Sequence, residues 1–309
     1  YHYNMWGLNH TMKTKLKKGY NTQAGLEYRI PFLNKRTQWG AQIMVDYNSQ
    51  NEVWYKTLND SLQFFKNGQN HLIQTTLANL EVSKRLNPFV RLYFGANLDN
   101  RHLHKSVPLD DFFTHNSDFQ KQTSLYFKIE KDNRDNIYFP LRGSYLAPRL
   151  SVHRFCNTRT DYNIKMQITA QRFFRFRPKW YSAFSTYAQT NSNRQLGYND
   201  RKQLGYDVTV RGFEHYVVEG YIGTKSTAAL RYHLIDRSDL KLNFLPFRNY
   251  RIFPFNAYLE CFLDGGYAVN NQIMPTNKLT NTALYSGGIG LNLLFYNDSI
   301  LRIEYSLNS

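Results

Sequence analysis

The chain has 309 residues and carries 39 Lys and Arg against 23 Asp and Glu, a formal net charge of +16. Tyr (24) and Phe (22) are abundant although mean hydropathy is −0.58. That pairing is uncommon in a soluble globular protein and natural to a sheet whose lipid-facing residues alternate with polar ones. No stretch approaches the ~20 consecutive apolar residues a spanning helix needs. The basic residues are scattered rather than gathered around a recognition motif, so nucleic acid is not the expected partner. Two cysteines, Cys156 and Cys261, are too few for a disulfide framework or a Cys-based zinc site.

Taken in chain order, the dominant signal is period two over segments of about ten residues separated by turn residues. From Tyr20 one row holds Thr22, Ala24, Leu26, Tyr28 and Ile30, and the other Gln23, Gly25, Glu27 and Arg29. After a turn near residues 34–36, Trp39, Ala41, Ile43, Val45 and Tyr47 alternate with Gln38, Gly40, Gln42 and Asp46. A looser alternation over residues 72–85 is followed by a tight Leu86-Asn87-Pro88 turn. Next come Val90, Leu92, Phe94, Ala96 and Leu98 against Arg91, Tyr93, Gly95, Asn97 and Asp99. Further strands are predicted around Leu125 to Glu130, Leu146 to His153 and Asn163 to Ala170. The apolar rows end in Tyr, Trp or Phe, and the opposite rows carry charges in mid-strand. Turns are alternately short and long, the long ones spanning about residues 101–122 and 191–221. These features predict an all-β, transmembrane antiparallel β-barrel, the only sheet that leaves no unpaired edge in hydrocarbon.

Val210-Arg211-Gly212-Phe213 lies in the second long segment, about fifty residues before a strand that ends in Asp264-Gly265-Gly266. A loop ending in Val-Arg-Gly-Phe followed by Asp-x-Gly resembles the BamA/TamA surface-antigen superfamily of outer-membrane barrels. The resemblance implies that the loop of about residues 191–221 folds into the lumen, where Arg211 meets Asp264 on the wall. Gly212 then permits a sharp turn, and Phe213 wedges against the wall. Parity agrees: Glu260, Phe262 and Asp264 share one face, while Leu259, Cys261 and Leu263 share the other. Phe139-Pro140-Leu141-Arg142-Gly143 is similar to the family's Pro-x-x-Gly turn, Leu204-Gly205 to its Leu-Gly-Gly, and residues 286–291 and 300–308 to its fourteenth and fifteenth strands. Arg231 departs from the family, which often places a Glu near that position as a second acceptor. Glu214, Glu219 and Glu260 are the candidates to compensate.

The family type has 16 strands, of which about 13 are recognisable, so residues 1–309 are read as one barrel domain incomplete at both ends. The resemblance implies a bacterial outer-membrane insertion or assembly factor that templates client strands at a lateral seam. Its implied partners are lipid and lipopolysaccharide, unfolded outer-membrane clients, POTRA repeats and accessory lipoproteins. The alternatives are a two-partner-type secretion pore and a membrane anchor for an N-terminal enzyme domain. No catalytic constellation, cofactor motif or metal site is expected, since His102 and His104 lack a third ligand. The basic run from Arg172 to Trp180 is read as a strand end with interfacial aromatics and a short turn.

Overall fold

A computed structural model describes residues 2–5, 7–33, 38–68, 71–108, 111–114, 117–156, 161–241, 252–272, 275–295 and 299–309, with side chains omitted at a few strand ends. Fourteen strands form one antiparallel sheet among the described residues. In spatial order they are β1 (His2–Met5), β2 (His10–Lys17), β3 (Asn21–Ile30), β4 (Trp39–Gln50), β7 (Ile73–Asn87), β8 (Val90–Leu103), β9 (Phe119–Asp132), β10 (Gly143–Phe155), β11 (Asp161–Arg177), β12 (Trp180–Asn191), β15 (Ile222–Lys241), β16 (Ile252–Val269), β17 (Leu284–Phe295) and β18 (Ser299–Asn308). Four short strands sit outside it: the hairpin β5 (Val53–Leu58) and β6 (Ser61–Phe65), and the pair β13 (Lys202–Leu204) and β14 (Val218–Glu219). Each strand of the main sheet pairs with its neighbour in sequence, so the topology is an up-and-down meander. Among the described residues β1 and β18 do not pair with each other, and no helix is long and apolar enough to cross a membrane.

The period-two rows become the two faces of the sheet. Leu125 (68% exposed), Leu263 (68%), Ile289 (56%) and Ile43 (53%) stand on the outer face. Cross-strand register aligns them into bands, as in Ile43↔Leu80↔Ala96↔Leu125 and Leu263↔Gly287. So continuous an apolar surface is unfavourable in water and suits lipid. The inner face carries Gln122, Ser124, Ser151, Asn163, Gln189 and Asn292, all buried and polar. Side-chain ladders such as Asn163 to Asn191 (3.0 Å) and Gln167 to Gln189 (2.9 Å) satisfy them.

The connections fall at opposite ends by length. Residues 51–72, 104–118, 192–221 and 270–283 lie at one end, and turns such as Pro88-Phe89 and Pro178-Lys179 at the other. The long connections pack on each other instead of trailing into solvent. Val53, Leu72, Leu103, Val107, Phe112, Phe113 and Tyr198 form a dry cluster from three of them. The Asp60 carboxylate accepts the backbone N–H groups of Lys278 and Leu279, each at 3.0 Å, and its carbonyl accepts from Val217 N at 2.8 Å. Gly197 packs so closely on Phe113 that an added Cβ would lie 2.4 Å from its carbonyl carbon. Elements far apart along the sheet therefore meet, which shows that the sheet curls around its polar face.

Two predicted features extend further than their sequence patterns. The strands flanking the 101–122 segment run to Leu103 and start at Phe119, which shortens that loop. β2 and the β5–β6 hairpin are not among the strands predicted from the sequence. β2 lies between β1 and β3 and carries Lys13, Lys15 and Lys17 on one face. The basic run at Arg172 is the end of β11 and the turn into β12.

Candidate functional site: a loop braced against the wall

Residues 192–221 leave β12 and return into the interior. Their base is closed by Asn191 N to Tyr221 O (2.7 Å) and Gly220 N to Arg201 O (2.8 Å), and by the short β13–β14 pairing. Gly205, at φ +85°, reverses the chain where an added Cβ would lie 2.0 Å from the Tyr216 carbonyl oxygen. The tip is Val210-Arg211-Gly212-Phe213. Val210 (1% exposed) and Phe213 (6%) pack with Leu204, Val218, Ala268 and Leu284. Gly266 makes room for this wedge, since a Cβ there would come within 2.6 Å of Val210 Cγ2.

The wedge sets Arg211 against the wall. Its Nε donates to Asp264 Oδ2 at 2.9 Å and its Nη2 to Asp264 Oδ1 at 2.8 Å, the bidentate fork suited to a planar carboxylate. The Asp264 side chain is fully buried (0% exposed). Nη1 donates to Glu304 Oε1 at 3.0 Å and Glu260 Oε1 at 3.3 Å, and the guanidinium lies 3.4 Å from the Phe262 ring centroid. Burial works against the Arg211 charge, but Asp264, Glu304 and Glu260 outweigh it and raise the guanidinium above its ordinary pKa. Gly212 turns the chain at φ +83°, and its carbonyl accepts from Asn308 Nδ2 at 2.6 Å. The loop thus touches β16 through Asp264 and Glu260, and β18 through Glu304 and Asn308.

The structure brings Arg211, Asp264 and Glu260 together, with Val210, Phe213 and Gly266 as the packing that holds them. Glu214 is a correction to the sequence reading. Its carboxylate accepts from the Gly212 backbone N–H at 2.9 Å, because the turn at Gly212 folds it back on its own loop, and it is not an acceptor for Arg211. Glu219 pairs with Arg201 at 2.6 Å instead. Glu304 escaped the sequence analysis. Its signal is register: Glu260 opposes Gly290, which opposes Glu304, so the missing side chain of Gly290 leaves two carboxylates facing one guanidinium. Arg231 is accommodated through the same Glu260. Its Nε donates to Glu260 Oε2 at 2.6 Å and its Nη1 to the Pro140 carbonyl at 2.9 Å. Glu260 therefore stands between two arginines. The Pro140 turn depends on Gly143 (φ +103°), where a Cβ would lie 2.3 Å from Asn133 O. Among the described residues no group of three or more His, Cys, Asp or Glu is arranged to hold a metal.

The base of the loop has its own charge network. Arg201 bridges Glu219 and Asp111, and Arg101 bridges Asp200 (2.9 Å) and Asp99. Beside them, Lys202 of β13 stacks over Trp54 at 4.8 Å and donates to Asn199 at 2.8 Å. Burial above all, then Arg101, lowers its pKa to about 8, against the raising effects of Asp200, Asp207 and Glu219. In the unfolded chain the group titrates near 10.4. Between about pH 8 and pH 10.4 the unfolded state binds the extra proton, so stability rises with pH across that window. Urea midpoints measured from pH 7.5 to 10.5 should show this rise in the wild type and lose it in Lys202→Met. An equal slope in both proteins would refute the assignment.

The Omp85 superfamily domain matches residues 4–295, nearly the whole chain. The chain belongs to the Omp85 superfamily. Among curated proteins no sequence matches it. Among solved structures this Omp85 chain resembles BamA from Haemophilus ducreyi lacking POTRA domains 1–3, at 12% identity and a TM-score of 0.65 over 99% of this chain and 65% of that one. It also resembles CdiB from Acinetobacter baumannii (12% identity, TM-score 0.54, 99% and 55% covered) and CdiB from Escherichia coli (16%, 0.51, 99% and 58%). At these identities the likeness establishes the fold, and the chain spans less than two thirds of each structure's length. The superfamily is one of outer-membrane β-barrels. That assigns the apolar outer face of this Omp85 chain to lipid and its polar face to the interior.

Proposed function

We propose that this chain is the barrel of a protein insertion and assembly factor in the bacterial outer membrane, which engages unfolded outer-membrane clients along an edge of its sheet. The observation that supports this reading is the filled interior. The β5–β6 hairpin, residues 104–118 and residues 192–221 pack together at the long-loop end, and the loop tip is fastened to the wall by Arg211. Inner cavities beside these elements are small, about 240 Å3 beside Trp54 and Lys202 and about 420 Å3 beside Arg134 and Arg231. A client pairing its main chain with a sheet edge needs no axial passage, whereas a secretion pore would have to expel these elements. The braced loop keeps the interior in shape while the edge exchanges partners. POTRA repeats and accessory lipoproteins would meet the short-turn end, and lipopolysaccharide the long-loop end.

The rival reading, a secretion pore, shares the fold of the two CdiB structures. Reconstitution of the full protein into liposomes separates the two. Insertion activity is expected to accelerate the folding of an unfolded outer-membrane client, with small, flickering conductance. A large steady conductance without any acceleration of client folding would overturn the proposal.

A further inference from the structure

One part of the outer wall is neither flat nor uniformly apolar. Phe127 and Ile129 of β9, Pro148 of β10, Met166 and Ile168 of β11 and Ala188 of β12 line an open groove of about 520 Å3. Its floor is made by the small side chains of Pro148 and Ala188. Pro148 also has no N–H to donate, and the β9–β10 pairing lapses at Ala147 and Pro148, between Leu146↔Lys131 and Arg149↔Lys128. A proline within a sheet interrupts the ladder, and here the interruption lies beneath the groove.

The groove runs toward a pair of cations. On β10 the outward residues from groove to turn are Pro148, Leu146 and Ser144. Leu146 opposes Lys131 on β9 and Ala170 on β11, and Ser144 opposes Arg172 on β11. Lys131 and Arg172 are both exposed on the apolar outer face. Neither has a hydrogen-bond or ion-pair partner among the described residues. They stand two strands apart, roughly 10 Å across the sheet, a span that two long side chains can close around one anion. Next to Arg172 an aromatic band marks the interface level: Phe174 stacks with Phe184 at 6.1 Å, and Phe176 packs against Trp180 at 6.4 Å. An unpaired guanidinium on a lipid-facing row is costly unless it reaches an anionic headgroup.

We propose that this wall is a binding site for one anionic glycerophospholipid, its phosphodiester held by Lys131 and Arg172 and an acyl chain lying over Leu146 in the groove at Pro148. Both cations sit at the short-turn end, the periplasmic side, where the leaflet is made of glycerophospholipid. Charge complementarity selects an anionic lipid, and the groove distinguishes a lipid from free phosphate, which has no tail to fill it. The inference rests on the membrane embedding proposed above and not on insertion activity, so a binding assay reads it whatever the client-folding assay returns.

The test uses the full protein in detergent micelles, with native mass spectrometry after addition of phosphatidylglycerol, phosphatidylcholine or lipid A. One phosphatidylglycerol should be retained about tenfold more strongly than phosphatidylcholine. K131Q/R172Q should lower that preference to parity, K131R/R172K should keep it, and Ala188→Phe, which fills the groove, should weaken both phospholipids. Lys84→Gln should leave retention unchanged, since Lys84 stacks on Trp39 (5.2 Å) elsewhere on the same end. Heat-modifiability on gels verifies that each variant is folded. Equal retention of the two phospholipids by the wild type, unchanged preference in folded K131Q/R172Q, or retention of lipid A in place of phosphatidylglycerol would each overturn the proposal.

Discussion

Replacing Arg211 with alanine is expected to destabilise the barrel by about 3–5 kcal/mol, the usual cost of leaving a buried charge without its partner. The effect should be asymmetric. Arg211→Ala strands Asp264, whose side chain is fully buried and whose nearest remaining cation is Lys225 at 3.7 Å. Asp264→Ala leaves Arg211 with Glu304 and Glu260 in reach, so its cost should be smaller. The double variant should recover part of the Arg211→Ala loss, because no orphaned carboxylate remains. Urea midpoints of the protein in liposomes, with heat-modifiability on gels, measure all three. Equal stabilities for the wild type and both single variants would show that the brace carries no energy.

A loss of similar size, about 3–5 kcal/mol, is expected for Glu260→Ala. Glu260 is 2% exposed and lies between the guanidinium groups of Arg211 and Arg231, with Asn292 Nδ2 also at 3.4 Å. Without it, two cations face each other across an interior cavity of about 420 Å3. Glu260→Gln keeps an acceptor oxygen but no charge, so it should cost less, about 1.5–3 kcal/mol for the weakened charge-assisted hydrogen bonds. Salt distinguishes repulsion from lost packing. Raising ionic strength should restore part of the stability of Glu260→Ala if anions reach the cavity between the arginines, and have little effect on the wild type. A Glu260→Ala protein as stable as the wild type would mean that Arg231 and Arg211 do not share this carboxylate.

The strands were legible because alternation is a local property. A residue's face is set by its parity, so Ile43, Leu80, Leu125 and Leu263 could be assigned to the outer wall from the chain alone. β2 and the β5–β6 hairpin were not legible in this way. β2 is short, with only Met12, Thr14 and Leu16 opposite Lys13, Lys15 and Lys17, and the hairpin packs into other loops.

The candidate site divides along the same line. The pairing of Arg211 with Asp264 was implied by the resemblance of their motifs to a known family, and the parity of one strand agrees with it. The contact of Glu304 with Arg211 depends on the register of three successive strands and on the absence of a side chain at Gly290. Glu214 was misassigned because proximity in sequence does not say which way a chain at φ +83° turns. The Pro148 groove, and its closeness to Lys131 and Arg172, is likewise a matter of neighbours on four different strands.

By itself, then, the sequence determined the class of fold and the faces of the strands with clear alternation, since these follow from period and parity, while the Arg–Asp pair was what the resemblance of a short motif implied. Only the tertiary structure decided which carboxylates gather on Arg211, how the long loops fill the interior and where the outer wall is hollow. Those outcomes are set by inter-strand register and by the return path of loops, which bring together residues far apart in the chain and have no periodic trace within it.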